Sequence, residues 1–259
     1  MAMRKKGILF ASLAVILSGL LTGCGGQSQT KADNVIQVGT NAEFPPFEFQ
    51  EGNGEISGFD AELIRAIGKA VGMEVQITHM GFDAIFEGLS RDKVDVGVAA
   101  ITITDDRKQT VDFTAPYFDA KQYILVPKNS NIKTLKELKG KKIGVQAATT
   151  GEAVVQGVFG KTYEGIKAYD ETPSAINDLQ IGRLDAVVVD SAVVVEFNKK
   201  LGEGKFNMVE DTSLPVEQYG MAVKKGNKDM LNKLNEGLKK VKENGEYDKI
   251  YQKYFGDHK

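Results

Sequence analysis

An arginine, Arg107, closes the run Ala99-Ala100-Ile101-Thr102-Ile103-Thr104-Asp105-Asp106, which follows directly on an apolar segment from Val94 to Ala100. Backbone N–H groups at the end of a strand have lost their ladder partners, and a guanidinium takes both oxygens of a carboxylate in one planar fork. The run is therefore suited to holding an anion. An acid, Asp190, closes a second apolar segment, Ala186 to Val189. Opposite charges at the ends of two strands match the two poles of a free amino acid. Such a zwitterion leaves water only if each charge meets a partner. Taken singly, Arg107 reads as a solvated loop charge and Asp190 as an N-cap for a helix opening near Ser191. Their pairing is what carries the functional reading.

Other chemistries have little to work with. The chain has two histidines, His79 and His258, and one cysteine, Cys24. A histidine-rich metal centre is excluded, and no catalytic or structural metal is expected. Gly160-Lys161-Thr162 lacks the first glycine of a phosphate loop, because Val155 stands in its place. No cofactor is expected.

The elements that must position Arg107 and Asp190 come in two α/β units. Strand Val35 to Gly39, a helix opening at Asp60 as its cap, strand Val75 to Ile77, helix Ala84 to Leu89 and strand Val94 to Ala100 alternate, which implies a mainly parallel sheet. From Lys142 the alternation restarts, with strands Ile143 to Val145, Ile166 to Tyr169 and Ala186 to Val189 separated by helices Thr150 to Phe159 and Pro173 to Ile181. Leu89, Lys93, Val94, Asp95 and Val98 are echoed by Leu179, Arg183, Leu184, Asp185 and Val188. The first copy leads to Arg107 and the second to Asp190. Open α/β sheets bind ligands at the carboxyl ends of their strands, so two facing lobes would form a cleft there. Phe118 to Pro127 carries the chain out of the first lobe and Pro215 to Val223 brings it back, which allows hinge bending. The expected domains are residues 35–121 with 219–259 as one lobe and 122–218 as the other.

Ahead of the lobes, Arg4, Lys5 and Lys6 precede an apolar run from Ile8 to Leu21. The run is shorter than the roughly 20 residues of a membrane-spanning helix, and with its charged flank it reads as a signal peptide over residues 1–23. Leu21-Thr22-Gly23-Cys24 resembles a lipobox, which makes Cys24 the expected lipidation site, and residues 24–34 read as a flexible tether. The protein is thus expected to be extracytoplasmic, held by lipid at the outer face of a bacterial cell membrane. A net charge of −2 with no basic block offers nucleic acid nothing to bind by bulk electrostatics. A content of 42% hydrophobic residues suffices for packed cores.

Val38-Gly39-Thr40-Asn41-Ala42-Glu43-Phe44-Pro45-Pro46-Phe47, Gly58-Phe59-Asp60, Ile101 to Arg107, Gly182-Arg183-Leu184-Asp185 and Glu243-Asn244-Gly245-Glu246-Tyr247 together resemble the polar amino-acid-binding proteins of ABC importers. The resemblance is to the glutamine-binding and the lysine/arginine/ornithine or histidine-binding branches, and it implies a two-lobed type II periplasmic-binding-protein-like fold of class α/β. By that resemblance Arg107 takes the ligand carboxylate with Thr102 and the Thr149-Thr150 turn, Asp190 and the Ala100 carbonyl beside Ala99 take the ammonium, and Phe44 and Phe82 cover the two faces. Asn41, Glu43 and Gln146 would meet the ligand side chain. The family's basic branch tends to have an aspartate where this chain has Asn41, while Gln146 removes a lysine common in the glutamine branch. A basic amino acid, namely arginine, lysine or histidine, is the first expectation, with glutamine or another polar amino acid as the alternative. The implied partners are an ABC permease with its ATPase subunits, and the protein is expected to be monomeric. A lyase or dehydratase using Glu43 or Asp190 as general acid or base, and a sensor ectodomain, are the readings from other classes.

Overall fold

The computed structural model describes residues 34–202 and 204–256. The expected signal segment and Cys24 lie outside them. The first lobe opens with β1 (Val35–Thr40), a small antiparallel sheet of β2 (Glu43–Phe44), β3 (Glu48–Gln50) and β4 (Ile56–Ser57), and helix α1 (Phe59–Ala70). It continues through β5 (Glu74–His79), α2 (Phe82–Ser90), β6 (Val96–Gly97), the short α3 (Asp105–Lys108) and β7 (Val111–Phe113). The long strand β8 (Phe118–Pro127) leads into the second lobe. There follow β9 (Ile143–Gln146), α4 (Thr150–Phe159), β10 (Ile166–Tyr169), α5 (Thr172–Gln180), β11 (Ala186–Asp190), α6 (Ser191–Leu201) and β12 (Phe206–Glu210). Strand β13 (Val216–Tyr219) returns the chain to the first lobe, which β14 (Ala222–Lys224), α7 (Lys228–Glu243) and α8 (Glu246–Phe255) complete.

Each lobe is built on one five-stranded path, β5-β1-β6-β14-β7 in the first and β10-β9-β11-β8-β12 in the second. Strands β5, β1 and β6 are parallel, as are β10, β9 and β11, but β14 and β8 run against their neighbours. The reason is topological. Parallel strands end at the cleft, whereas a strand arriving from the other lobe starts there and must run the opposite way. The two crossings pair with each other, from Val216 opposite Lys121 to Tyr219 opposite Phe118. Around this hinge Phe47, Phe59, Phe118, Tyr219 and Phe255 pack as one aromatic cluster, with Phe47 and Phe118 centroids 4.9 Å apart. Burying several aromatic rings together gives the hinge a stiff apolar backing.

The internal echo corresponds to one repeated device. Asp95 accepts a hydrogen bond from the Gln37 N–H at 2.9 Å, and Asp185 accepts one from the Lys142 N–H at 2.7 Å. In each lobe an acid at the start of a central strand thus anchors the neighbouring strand. The turn before it needs a left-handed residue, supplied by Asp92 with φ of 57° and by Gly182 with φ of 75°.

Two local expectations are corrected. The expected strand Val94 to Ala100 keeps ladder pairing only at Val96–Gly97, because the backbone bends at Ala99 and enters the left-handed region at Ala100, with φ of 46°. Asp60 is not the cap of α1. Gly58 holds that position, and Asp60 lies buried in the first turn, where its Oδ2 accepts from the Ala100 N–H at 2.7 Å and the Tyr117 hydroxyl at 2.8 Å. An inward-facing acid thus holds the bend that delivers Ala99 and Ala100 to the cleft.

Candidate functional site

Between the lobes lies a small cavity, lined by the strand ends and loops just described. Its wall includes Asn41, Phe44, Phe82, Ala99, Ala100, Thr102, Arg107, Gln146, Thr149, Thr150 and Asp190, drawn from both lobes. All the expected contact residues except Glu43 therefore surround one space, which also touches an acid not anticipated from the sequence, Glu48.

Arg107 is placed by its own short helix. The Thr104 hydroxyl accepts from the Arg107 N–H at 3.2 Å and caps α3. The guanidinium then bridges the cleft, with one nitrogen donating to the Thr102 carbonyl at 2.7 Å and the other to the Ala148 carbonyl at 3.0 Å. Its carbon lies 5.2 Å from the centre of the Phe82 ring and 5.4 Å from that of Phe86. Phe86 was not anticipated, although its spacing of four from Phe82 on α2 puts both rings on one helix face. Burial pulls the Arg107 pKa down to about 10, against the attraction of Glu217 and Asp190. The group stays a cation at neutral pH.

Asp190 faces this cation from the end of β11. It occupies the N-cap position of α6 without a side-chain capping bond, and instead accepts a hydrogen bond from the buried Tyr219 hydroxyl. Burial raises its pKa to about 7, and the Tyr219 bond opposes the rise. An ammonium group placed beside it would reverse the effect of burial.

Glu48 and Asp60 form a buried acid pair behind the cavity. Burial, followed by repulsion from Asp60, lifts Glu48 well above the usual carboxylate range, whereas the Ala100 N–H and Tyr117 hydroxyl restrain Asp60 to about 6. Both Glu48 oxygens and Asp60 Oδ1 lack partners if the two groups are counted as carboxylates. A proton held by Glu48 and donated to Asp60 gives one Glu48 oxygen and Asp60 a shared hydrogen bond, which relieves part of the cost of burying them.

At the far end of the cavity two amides meet across the cleft. Gln146 Nε2 donates to Asn41 Oδ1 at 2.9 Å and to the Asp170 carbonyl at 3.0 Å, while Gln146 Oε1 accepts from the Thr172 hydroxyl at 2.9 Å. Thr149 caps α4 by accepting from the Glu152 N–H at 3.3 Å, and its hydroxyl donates to the Gln146 carbonyl at 2.7 Å. The cap thereby sets the start of α4 beside Arg107. Glu43, outside the cavity wall, lies with His79 and Glu171, their donor atoms within 4.8 Å of one another. The cluster does not suit a metal ion. His79 Nδ1 accepts from the Ala42 N–H at 3.1 Å, which puts the proton of the neutral ring on Nε2 and leaves no lone pair for coordination. Burial and the neighbouring Glu171 raise the Glu43 pKa.

Known proteins share this arrangement of lobes and cleft. A probable histidine-binding protein of Neisseria gonorrhoeae is 38% identical over 242 residues, covering 91% of this chain and 90% of its own length. The solved arginine-, lysine-, histidine-binding protein ArtJ of Geobacillus stearothermophilus is 42% identical, with a TM-score of 0.83 over 87% of this chain and 97% of its own. An ancestral arginine-binding protein, solved with glutamine bound, is 44% identical, with a TM-score of 0.81 over 86% of this chain and 99% of its own. These relatives are binding proteins and not enzymes, in agreement with the expectation of no catalytic activity. The expected two-lobed type II fold is likewise that of the solved neighbours. Residues 36–257 match the model of the bacterial extracellular solute-binding proteins, family 3, and the chain belongs to that family.

Proposed function

We propose that this protein captures a free basic L-amino acid, namely arginine, lysine or histidine, in the inter-lobe cavity and delivers it to an ABC permease. The observation that carries the reading is the pair of opposite charges in the cavity wall, the guanidinium of Arg107 and the carboxyl group of Asp190, with the rings of Phe44 and Phe82 beside them. The α-carboxylate would take Arg107 and the α-ammonium Asp190. Phe82 and Phe44 would flank the ligand, and a cation held against an aromatic face adds about 0.5 to 2 kcal/mol. The Ala100 carbonyl and the N–H groups of Thr102 and Thr150 would satisfy the remaining poles. Glutamine is the second reading, favoured by the neutral amide pair of Asn41 and Gln146.

Export by the signal segment 1–23, lipidation at Cys24 and action as a monomer with the permease and its ATPase subunits complete the proposal. Among the described residues no helix is long and apolar enough to cross a membrane.

A thermal-shift panel over the common amino acids tests the ligand. Arginine, lysine and histidine are expected to raise the unfolding midpoint most, since a ligand that binds only the folded state stabilises it by mass action. A panel in which no amino acid moves the midpoint would overturn the reading, and a largest shift with glutamine would replace the basic ligand with the neutral one.

A further inference from the structure

Asp60 is fully buried behind the cavity and takes its hydrogen bonds from residues of the first lobe. Its Oδ2 accepts from the Ala100 N–H at 2.7 Å and from the Tyr117 hydroxyl at 2.8 Å. Glu48, which reaches the cavity wall, adds a third contact through the proton shared between the two acids. Ala100 itself has φ of 46°, a strained conformation for alanine that persists only where the surroundings over-determine it. The Ala99–Ala100 peptide is trans, so its carbonyl oxygen points away from the N–H that Asp60 holds. Asp60 lies on the core side of this peptide, and both alanines line the cavity.

We propose that Asp60 is a positioning residue for the ligand ammonium: it pins the Ala99–Ala100 peptide so that the Ala99 carbonyl faces the cavity as an acceptor in addition to Asp190. The inference rests on the cleft being the amino-acid site, but the hold of Asp60 on Ala100 involves no residue of the second lobe. A hydrogen bond to a charged acceptor is among the stronger kinds, so the orientation of the peptide is firmly set. The acid at the N–H end also polarises the peptide, which raises the negative charge on the carbonyl oxygen. The ammonium thus meets a fixed carbonyl on one lobe and a carboxylate on the other. Every free amino acid carries that group, so Asp60 serves affinity for the whole class and not the choice among side chains.

Titration calorimetry with arginine at pH 8, paired with nuclear magnetic resonance of the Ala99 carbonyl carbon and the Ala100 amide, tests this. In wild type the Ala99 carbonyl signal is expected to shift when arginine saturates the protein, because its oxygen gains a charged donor. Arginine affinity in Asp60→Ala should fall about tenfold, the worth of one hydrogen bond to a charged group, and the Ala99 shift at saturation should shrink with it. Asp60→Asn keeps an oxygen for the Ala100 N–H without the charge and should lie between wild type and the alanine variant in both readouts. Should the alanine variant fail to fold, the asparagine variant decides alone. An Ala99 signal that arginine leaves unmoved in wild type, or wild-type affinity in the variant that folds, would overturn the proposal. A weakened variant with the full Ala99 shift at saturation would reduce Asp60 to a structural part and overturn it equally. Absence of arginine binding to wild type would overturn the ligand reading instead. The Ala100 amide of the empty protein would still judge the hold, since it should move on Asp60→Asn and an unmoved signal would refute it.

Discussion

Arg107 has five N–H donors and spends two of them on the Thr102 and Ala148 carbonyls, so the rest of the fork stays available to a carboxylate. Replacing it leaves those carbonyls to water and removes the one cation that lines the cavity among the described residues. Arg107→Ala is expected to abolish amino-acid binding in titration calorimetry, a loss on the order of 3 to 5 kcal/mol, while the unfolding midpoint of the empty protein moves little. Retained affinity in that variant would remove Arg107 from its role. Arg107 and Asp190 were legible in the sequence because opposite charges ending two apolar strands have few structural uses. Glu48 was not. In Phe47-Glu48-Phe49 an acid between two phenylalanines reads as the solvated face of an edge strand, and only the fold reveals that Asp60 lies behind it.

Secondary elements with a full repeat were also readable, down to the bounds of α4 at Thr150–Phe159 and of β10 at Ile166–Tyr169. Elements of two or three residues, such as β2, β3 and β4, left no periodic trace, since a strand that short cannot display alternation. The bend at Ala99 and Ala100 escaped for another reason: small apolar residues prolong a strand pattern, and the force that breaks it comes from Asp60, 40 residues earlier. Gly58 governs the placement of that acid. Its φ of 119° belongs to glycine, and an added Cβ would come within 2.2 Å of the Phe47 carbonyl oxygen. Gly58→Ala is expected to destabilise the protein by about 3 kcal/mol or more in a denaturant titration, since the backbone strain comes with a clash that no side-chain rotation relieves. A change below about 0.5 kcal/mol would contradict the geometry.

For the molecule as a whole, the buried acids tie stability and binding to pH. Asp190 rises from 3.8 to about 7 and Asp60 from 3.8 to about 6, so the folded, empty protein holds protons that the unfolded chain has already lost. Their contribution to stability is complete below 3.8 and disappears as pH climbs through 6 and 7. Binding runs the other way. A ligand ammonium favours ionised Asp190, so below pH 7 the ligand must expel a proton, and affinity at pH 5 should be up to about a hundredfold weaker than at pH 8. Calorimetric titrations at the two pH values check this, and equal affinities would rule out Asp190 as the ammonium partner.

The position of β14 carries a consequence for how the chain matures. Although nearly last in sequence, this strand lies between β6 and β7, in the interior of the first sheet. No nascent chain that ends before Lys224 can complete that sheet, so two inner edges stay unpaired until synthesis is almost over. The inserted second half, from β8 to β12, suffers no such delay. The first sheet of a polypeptide arranged in this way closes only after the second has every strand it needs.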